Sequence, residues 1–310
     1  MELSIVIVSW NTRQLLLDAL AAFQPLPFAA EVIVVDNDSA DGSADAVEAV
    51  FPAIRVIRNP ENLGFAGGVN TGLRAARAPL ILLLNPDTLA SPDAVASLVA
   101  YARAHPEAGV VGPKVLNRDG SLQASVFRAP SLPNLLLSST FLYQLFPRSP
   151  FFNRERYGGR DPNETGPVEA VSGCCFLVRR EVTERVGLLD DGFFMYAEET
   201  DFCLRARRAG FEVHYSAAGP IVHFGGESAR QVSRRMVVQF RRSLVRFARK
   251  HHGPVYAAAV RALLALGLAA RLPYWGLRSL RGGEAGRNAR QQAGHYLAGL
   301  GDLLAVRRVP

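Results

Sequence analysis

In the first third of the chain, short apolar runs alternate with longer segments in which apolar residues recur every three or four positions. The short runs predict β-strands and the periodic segments predict amphipathic helices. Ser91 and Pro92 mark the start of one helix, as N-cap and first-turn residue. The predicted strands are residues 3–10, 31–36, 54–59 and 79–85. Their alternation with helices predicts an α/β fold with a mostly parallel central sheet flanked by helices.

The pattern changes in the middle of the chain. Residues 123–167 mix prolines, leucines and aromatic residues without a period, and a long irregular segment of this kind is more often functional than idle. A strand is predicted over residues 168–180, and two short strands over residues 211–216 and 220–224. Between them, "FCLRARRAG" predicts a helix that ends at Gly210.

The C-terminal part, residues 228–310, has strong helix signals. An amphipathic basic helix is predicted at its start, with Val232, Met236, Phe240 and Leu244 on one face. The apolar segment that follows has at most nine consecutive uncharged residues between its arginines, whereas a bilayer span needs about 20. We therefore expect this segment to lie at an interface or to dock on protein, and not to cross a membrane.

Charge divides the chain in the same place. The 310 residues carry a net charge of +7, but residues 1–227 hold 19 Lys and Arg against 26 Asp and Glu, whereas residues 228–310 hold 16 against 2. An acidic body suits a cation site, and a basic tail suits a polyanion, either nucleic acid or an anionic membrane surface. Three cysteines without a CxxC spacing predict neither a disulfide framework nor a zinc site and indicate a reducing compartment. The N-terminus lacks the features of a signal peptide.

Polar residues follow three of the predicted strands at their carboxyl ends. Asn11 comes just after the first strand, Asp36 and Asp38 end the second, and Asn85 and Asp87 end the fourth. In an open parallel sheet, ligands bind at this edge. Each of these residues alone is a common turn residue, but three strand ends together predict a binding rim.

The glycine-rich stretch "NLGFAGGVNTG", residues 62–72, has two interpretations. It lacks the Gly-Lys-Ser/Thr end of a P-loop, and the turn after the first strand has no glycine, which disfavours a dinucleotide-binding fold. In one interpretation, the glycines let a helix pack closely on the sheet. In the other, they form a backbone surface for a flat ligand, such as a base or ribose. The two stay equal alternatives.

Two groups of residues are candidates for chemistry. Asp87 is a candidate ligand for Mg²⁺ or Mn²⁺, which prefer carboxylate oxygen and neutralise a diphosphate leaving group. His223 would join it only if the fold brings the two together. Glu198, Glu199 and Asp201 open a predicted helix behind an aromatic run. Acids in a first helical turn often only complement the helix dipole, but a carboxylate beside a sugar hydroxyl can act as its general base.

Six motifs resemble, in the expected order, those of glycosyltransferase family 2, inverting enzymes of the GT-A fold, and most of all its bacterial rhamnosyltransferase-like branch. The resemblance covers residues 3–250. The motifs are "SIVIVSWN", "VVDNDSADGS", "NLGFAGGVNTG", "LLLNPD", "VSGCCFLVRREVTERVGLLDDGFFMYAEETDFCLRARRAGF" and "IVHFGGES".

The resemblance implies a role for each candidate residue. Asp87 and His223 would bind the Mn²⁺ or Mg²⁺ ion that bridges the donor's diphosphate. Glu199 stands at the position of the catalytic base, where aspartate is commoner, so Glu198 stays an alternative, and Asp201 would orient neighbouring groups. The residues implied to frame the nucleotide are Asn11, Asp36, Asp38, Asn62, Gly67, Asn70 and Asn85.

The resemblance also implies how the chain is divided and what it binds. Residues 1–227 would form the catalytic domain, with a nucleotide-binding half over residues 1–115 and an acceptor-binding half over residues 116–227, and residues 228–310 would form a basic helical extension. The implied donor is a nucleotide sugar, with dTDP-rhamnose the first candidate, and the acceptor is a saccharide or a polyprenyl-diphosphate-linked saccharide. The extension suits an anionic membrane surface at the cytoplasmic face of the plasma membrane. The oligomeric state, including a homo-oligomer, stays open.

Three alternatives stay open at this point. A nucleotidyltransferase would share the nucleotide rim and the metal, but it would carry a glycine- and lysine-containing loop after the first strand, which this chain lacks. A membrane-associated scaffold that binds a nucleotide sugar without activity would tolerate Glu199→Gln. Nucleic-acid binding through the basic tail has little support, because its few aromatic residues are not interleaved as stacking platforms.

Overall fold

A computed structural model of the chain describes residues 1–140, 142–225 and 233–305. These residues fall into two compact units. The first unit comprises Met1–Ala129, Arg160–Phe194 and the described part of Glu198–Arg230, and the second comprises Pro130–Gly159, Met195–Ala197 and the described residues after 232. The predicted boundary between residues 227 and 228, Val232 and the end of the motif "IVHFGGES" lie outside the described residues.

The first unit is built on a ten-stranded sheet. The strands of the protein are β1 (Leu3–Ser9), β2 (Ala30–Asp36), β3 (Arg55–Arg58), β4 (Leu80–Leu84), β5 (Thr88–Leu89), β6 (Ala108–Leu116), β7 (Leu122–Gln123), β8 (Val126–Phe127), β9 (Gly166–Pro167), β10 (Ala170–Val171), β11 (Cys175–Arg179) and β12 (Glu212–His223). The main order in the sheet is β3–β2–β1–β4–β11–β6–β12–β5, while β8 and β10 pair separately.

Most long strands of this sheet run in one direction. β1 pairs in parallel with β2 and β4, β2 with β3, and β6 with β12. β11 is antiparallel to both β4 and β6, so β6 and β12 point the same way as β1 to β4. The predicted mostly parallel central sheet is confirmed, and its strands share one carboxyl-end edge.

Helices connect the strands of the first unit and make up most of the second. In the first unit they are α1 (Arg13–Ala22), α2 (Ser43–Val50), α3 (Gly64–Ala75), α4 (Pro92–Ala104), α7 (Arg180–Val186) and α8 (Glu198–Arg208). In the second they are α5 (Leu132–Ser139), α6 (Leu142–Leu145), a 3₁₀ turn (Arg154–Arg156), α9 (Ser233–His252), α10 (Pro254–Ala269), α11 (Leu272–Ser279) and α12 (Gly283–Leu304). The predicted cap of α4 is confirmed, since Ser91 Oγ accepts a hydrogen bond from Ala94 N at 3.1 Å.

The glycines of α3 allow this helix to pack closely on the sheet. A Cβ atom on Gly72 would lie 2.2 Å from Val6 Cγ1, and one on Gly68 would lie 2.6 Å from Val8 Cγ1. Both distances are far below van der Waals contact, so only glycine fits at these two positions. This observation favours the packing interpretation of the glycine-rich stretch.

Three local expectations differ from the structure. The two short strands expected at 211–216 and 220–224 are one strand, β12, with a register shift between Ser216 and Ile221. The strand expected over residues 168–180 is two strands, β10 and β11, separated by a turn. β6 was not predicted, because its sequence "AGVVGPKVL" contains two glycines and a proline, which are uncommon in strands. Gly112 fits there because a Cβ atom would lie 2.5 Å from Val171 Cβ.

The second unit has its own apolar core, formed by α5, α9, α10 and α12. Leu135, Leu244, Val260 and Leu268 are among its buried residues, which explains why residues 130–159 group with this unit and not with the sheet. Phe240, expected on the apolar face of α9, is instead 44% exposed. The division into nucleotide-binding and acceptor-binding halves stays a prediction.

The segment Pro254–Ser279, made of α10 and α11, is long and apolar enough to cross a membrane by length and composition alone. The segment has 26 residues, more than the about 20 that a bilayer span needs, although arginines interrupt it. In the structure, 17% of its most apolar window is buried. Length and composition are weak grounds for a span, because the core helix of a soluble protein meets the same criteria. The interfacial location of this segment stays a prediction.

Candidate functional site

Asn37 fixes the loop that follows β2 and the loop that precedes α3. Its side chain is buried, and it uses all four of its hydrogen-bonding positions. Nδ2 donates to Asn62 Oδ1 and to the carbonyl of Gly64, both at 3.0 Å. Oδ1 accepts from Asn59 Nδ2 at 2.9 Å and from Leu63 N at 3.2 Å. Asn62, a candidate nucleotide residue, is therefore held in place at the carboxyl-end edge of the sheet.

Asp36 presents an unsatisfied oxygen at this edge. Its Oδ2 accepts from Ser39 N at 3.2 Å, whereas the buried Oδ1 has no hydrogen-bond partner among the described residues. A buried carboxylate oxygen without a donor is costly, so Oδ1 is suited to accept from a ligand. Asn11 lies on the neighbouring loop, where its Oδ1 accepts from Ala40 N at 2.8 Å.

Two of the candidate rim residues have left-handed backbones. Asn11 has φ 52° and Asp38 has φ 68°, a conformation that Asn and Asp adopt more readily than other side chains. Asp38 is exposed. Such residues often occur in ligand-binding loops, where the rest of the structure holds them in place.

Gly67 and Asn70 lie inside the protein. A Cβ atom on Gly67 would lie 2.7 Å from Leu63 Cβ. Asn70 is 2% exposed, and its amide makes two bonds to the backbone of Leu189, donating to the carbonyl at 2.8 Å and accepting from the N–H at 3.0 Å. Asn70 thus holds the loop after α7, and it would affect a nucleotide only through that loop.

Asp87 and His223 lie together at the carboxyl ends of β4 and β12. His223 Nε2 is 3.2 Å from Asp87 Oδ1, yet this contact does not have hydrogen-bond geometry and Nε2 is buried without a hydrogen-bond partner among the described residues. The structure therefore brings together the two residues that sequence analysis could only name separately.

Gln123 sets the tautomer of His223. Its Nε2 donates to Asn117 Oδ1 at 2.7 Å, and its Oε1 lies 2.7 Å from His223 Nδ1. Because an amide oxygen only accepts, Nδ1 carries a proton, which leaves Nε2, the nitrogen that faces Asp87, as the one that can bind a cation. A carboxylate oxygen and an imidazole nitrogen that face one another suit a shared divalent cation, so the residues present fit a metal site.

The residues just before β11 lie between the metal-site candidates and the glutamates. Asn85, which is half-buried, donates its backbone N–H to the Cys174 carbonyl at 2.8 Å. Burial, with a smaller contribution from the charge of Asp87, raises the pKa of the Cys174 thiol. The neighbouring Gly173 lies against Glu199, whose Cγ would be 3.6 Å from a Cβ atom placed there. The end of β4 and the start of α8 therefore meet on either side of residues 173–174.

Glu198 and Glu199 differ in environment although they are adjacent. Glu198 is buried, and its Oε2 has no partner among the described residues. Burial, and then the charge of Glu199, raise the pKa of Glu198 well above its usual range. Glu199 is half-buried, and burial raises its pKa to about 7. The chain enters α8 through two left-handed residues, Tyr196 and Ala197, so a tight turn places these glutamates at the start of the helix.

Asp201 is completely buried and pairs with Arg205. Arg205 Nε donates to Asp201 Oδ2 at 2.8 Å, and its two remaining nitrogens donate to the carbonyls of Val186 and Leu188 at 2.6 and 2.8 Å. The pair ties α8 to the same loop that Asn70 holds. Asp201 is therefore placed to position this part of the chain and not to contact a substrate.

Sequence reasoning missed three residues that organise the site. Asn37 stands between the two aspartates of "DND", at a strand end, and its bonds to residues 59–64 depend on the fold. Gly173 precedes two adjacent free cysteines, Cys174 and Cys175. Gln123 had no signal, because it lies 100 residues from His223 in sequence and only the pairing of the strands brings it close.

Comparison with known proteins gives the family. Residues 4–187 match the model of glycosyl transferase family 2. The chain is 30% identical over 234 residues to an N-acetylglucosaminyl-diphospho-decaprenol L-rhamnosyltransferase of Mycobacterium tuberculosis, which covers 72% of this chain and 76% of the relative. It is 29% identical over 154 residues to the rhamnosyltransferase WbbL of Escherichia coli, which covers 49% and 54% of the two chains.

Solved structures give the same fold. The mannosyltransferase PcManGT of Pyrobaculum calidifontis, solved in complex with GDP-Man and Mn²⁺, superimposes with a TM-score of 0.58 at 18% identity over 99% of this chain and 88% of its own. The central sheet and its helices are those of the GT-A glycosyltransferases. This chain belongs to glycosyltransferase family 2, and it is a glycosyltransferase with rhamnosyltransferase relatives.

Proposed function

We propose that the protein is an inverting glycosyltransferase that moves a sugar from a nucleoside-diphosphate donor to a saccharide acceptor by single displacement. The observation that carries this proposal is the arrangement around residues 173–174. Asp87 and His223 lie on one side, where a donor diphosphate would bind, and Glu199 lies on the other, where an acceptor hydroxyl would meet the sugar.

Glu199 is the general base in this proposal. Its half-buried carboxylate has a pKa of about 7, close to the pH at which a general base both is ionised and attracts a proton. Glu198 is a poorer candidate because its carboxyl is buried, away from an acceptor, and burial raises its pKa well above the usual range. We therefore propose Glu199, and not Glu198, as the base.

The reaction forms one bond and breaks one. The acceptor oxygen attacks the anomeric carbon while its proton passes to a Glu199 carboxylate oxygen. The bond between the anomeric carbon and the donor's diphosphate oxygen breaks, and the diphosphate leaves with the electron pair. Attack from the side opposite the leaving group inverts the anomeric configuration.

Asp87 and His223 would hold a divalent cation, Mn²⁺ or Mg²⁺, at the diphosphate. When bound, such an ion neutralises charge on the leaving group. Asp87 offers an oxygen that both ions accept, and Gln123 orients the His223 lone pair. The Mn²⁺ in the PcManGT complex supports a divalent cation for this fold, but which ion the protein uses is a matter for the assay below.

The nucleotide would bind along the rim formed by Asn11, Asp36, Asp38 and Asn62. The unpartnered Asp36 Oδ1 suits a donor group on the base or ribose. The rhamnosyltransferase relatives support dTDP-rhamnose as the lead donor, with UDP- and GDP-sugars as the alternatives. Gly67, Asn70 and Asn85 would support this site from behind through packing and backbone bonds.

The acceptor in this proposal is lipid-linked, and the second unit brings the enzyme to an anionic membrane surface at the cytoplasmic face. The M. tuberculosis relative, whose name gives a diphospho-decaprenol acceptor, supports the first point. The basic composition of residues 228–310 supports the second.

The test is donor hydrolysis and transfer by the purified protein with a panel of dTDP-, UDP- and GDP-sugars, with Mn²⁺, Mg²⁺ or chelator. Glycosyltransferase activity predicts metal-dependent turnover of one donor that Asp87→Ala abolishes. Nucleotide binding with no turnover, even when a lipid-linked acceptor is added, would favour a scaffold without activity. Conversion of the donor and added inorganic diphosphate to a nucleoside triphosphate and a sugar 1-phosphate would favour a nucleotidyltransferase.

A further inference from the structure

A second group of metal-ligating side chains lies at the opposite edge of the sheet. His105 follows α4, Glu107 precedes β6, and His214 is in β12 near its start. One potential ligand atom from each of these three residues lies within 4.8 Å of the other two. β12 points the same way as β6, so its start is at the amino-end edge, and His223 is at its other end. His214 pairs with Val111 of β6, and Val222, next to His223, pairs with Leu116, so the two histidines lie about 20 Å apart along the sheet.

We propose that His105, Glu107 and His214 bind a zinc ion, with Glu212 as the fourth ligand. Zn²⁺ takes four ligands from imidazole nitrogen and carboxylate oxygen in a tetrahedral arrangement. Glu212 Oε2 is 2.6 Å from His214 Nε2, and His105 Nδ1 is 3.0 Å from Glu107 Oε1. The four side chains therefore form two close pairs, and side-chain rotations that bring the pairs together and open each pair slightly would place them around one ion. The cysteine spacing gave no indication of a zinc site made of cysteines, and the site proposed here contains none.

The backbone around the proposed ligands is already held in place. The Glu107 carbonyl accepts from Glu212 N at 2.9 Å, and the His105 carbonyl accepts from Ala108 N at 3.1 Å. Arg179 Nη2 also donates to the His105 carbonyl, at 3.1 Å. Ligands on a fixed backbone lose little entropy when they bind an ion, so these bonds favour a formed site.

Tyr101 supplies the outer contact that metal-bound histidines usually have. Its hydroxyl is 2.8 Å from His214 Nδ1, and its ring lies 4.2 Å from that of His105. A hydroxyl can donate or accept, so it serves either tautomer of His214. With Nδ1 protonated towards Tyr101, Nε2 is available to the ion. His214 is nearly buried, whereas side chains of His105 and Glu107 are 40% and 46% exposed, which leaves a path for the ion to enter.

The ion would be structural. It would join the end of α4 to the starts of β6 and β12, far from Asp87 and Glu199. It would therefore stabilise the native state without taking part in transfer, and its binding can be measured without any substrate.

The test uses full-length, tag-free, metal-free protein carrying Asp87→Ala, which removes the other candidate cation site. Co²⁺ titration should give the visible absorption bands of a tetrahedral site at one equivalent, Zn²⁺ should displace it, and Zn²⁺ should raise Tm. His105→Ala combined with Glu107→Gln should weaken binding by more than about 100-fold, because even outer-shell changes cost 10–100-fold. Both side chains are partly exposed, so this variant should keep its fold, which circular dichroism checks.

His295→Ala combined with Glu284→Gln, both in α12, is the matched control and should bind as tightly as the parent. Binding should also weaken at low pH, because the ligands must be deprotonated. Unchanged Zn²⁺ affinity in the His105/Glu107 variant, an octahedral Co²⁺ spectrum, or no Zn²⁺ binding by the parent at neutral pH would each overturn the proposal.

Discussion

At the scale of single residues, the two adjacent glutamates lead to opposite expectations for the same substitution. Glu199→Gln removes the proposed base and should lower turnover by about 10²–10⁴-fold, the usual contribution of general base catalysis. Glu198→Gln replaces a buried carboxyl whose pKa is raised by burial, and it should change turnover by only a few-fold. Steady-state transfer with the donor that the panel assay identifies measures both.

Nucleotide binding, followed by calorimetry, is the control for these two variants. It should be unchanged in both, because neither side chain belongs to the rim around Asp36. A large loss of turnover in Glu198→Gln with full activity in Glu199→Gln would move the base to Glu198. Full activity in both variants would remove the glutamates from the chemistry.

The raised pKa values also predict opposite pH dependences for activity and stability. The apparent kcat/KM should rise with pH and level off above about 7, because Glu199 must be ionised to accept the proton. Stability should change the other way. Both glutamates have a higher pKa in the folded than in the unfolded protein, where it is near 4.5, so the folded state binds more protons in this window.

Their contribution to stability is therefore fully present below about pH 4.5 and is lost as pH rises through the folded pKa values. Thermal unfolding of the wild type and of Glu198→Gln at several pH values separates this contribution from the rest. The decrease in Tm between pH 5 and 8 should be smaller in the variant, which cannot lose the proton. An equal decrease in both proteins would show that Glu198 titrates as it does in water.

At the scale of elements, α3 can lie close to β1 because glycine stands where the two elements meet. Gly72→Ala would place a methyl group 2.2 Å from Val6 Cγ1, and overpacking of this kind costs about 1–3 kcal/mol. This outweighs the gain of up to about 1 kcal/mol that alanine brings to a helix interior. Denaturant unfolding should show a net decrease in the free energy of unfolding.

Gly294→Ala is the matched control, since Gly294 is also inside a helix and nothing lies within 4 Å of the added methyl group. It should leave stability unchanged or raise it slightly. If Gly72→Ala is as stable as this control, then α3 can move away from the sheet at little cost, and the packing interpretation of the glycines is wrong.

The elements also show what the sequence could predict and what it could not. β1 to β4 were found because their apolar runs are local signals, and the rim residues followed because parallel strands end at one edge. β6 was missed because its two glycines and a proline weaken the local signal, while its partners β11 and β12 lie far away in sequence. The contact of Gln123 with His223 depends on that same long-range pairing.

The site residues also divide into those that local sequence predicts and those whose contacts depend on the fold. Asp87, His223, Glu198 and Glu199 could be named from motifs, and the contact between Asp87 and His223 needed the fold. Asn70 shows the limit of assigning a role by motif alone, since the motif gave it a nucleotide-framing role, whereas its amide is bonded to Leu189 in the interior. The different pKa values of the two glutamates depend on burial, which adjacent positions in a sequence do not reveal.

At the scale of the whole molecule, net positive charge and exposed apolar side chains concentrate in the second unit. Leu277 and Leu280 are 71% and 81% exposed, and Arg278 and Arg281 are close to them in sequence. Apolar side chains beside arginines are typical of segments that lie in a membrane interface, where each arginine contributes about 1 kcal/mol near an anionic surface.

We expect the protein to bind phosphatidylglycerol-containing vesicles and not neutral phosphatidylcholine vesicles, with weaker binding at high salt because the ions screen the charges. Leu277→Asp combined with Leu280→Asp should abolish most of this binding in a co-sedimentation assay. Val50→Asp is the matched control, because it exchanges an apolar side chain that is 58% exposed in the first unit, and it should bind like the wild type.

Washes of membranes from expressing cells distinguish an interfacial location from a membrane span. A peripheral protein held by arginines and a few leucines is released by high salt or alkaline washing, because no long apolar segment is buried in the hydrocarbon. A segment such as Pro254–Ser279, if inserted across the bilayer, would resist both washes and require detergent. Release would support the interfacial location. Retention in membranes of expressing cells after both washes would instead assign the 26-residue segment a transmembrane role and overturn that prediction.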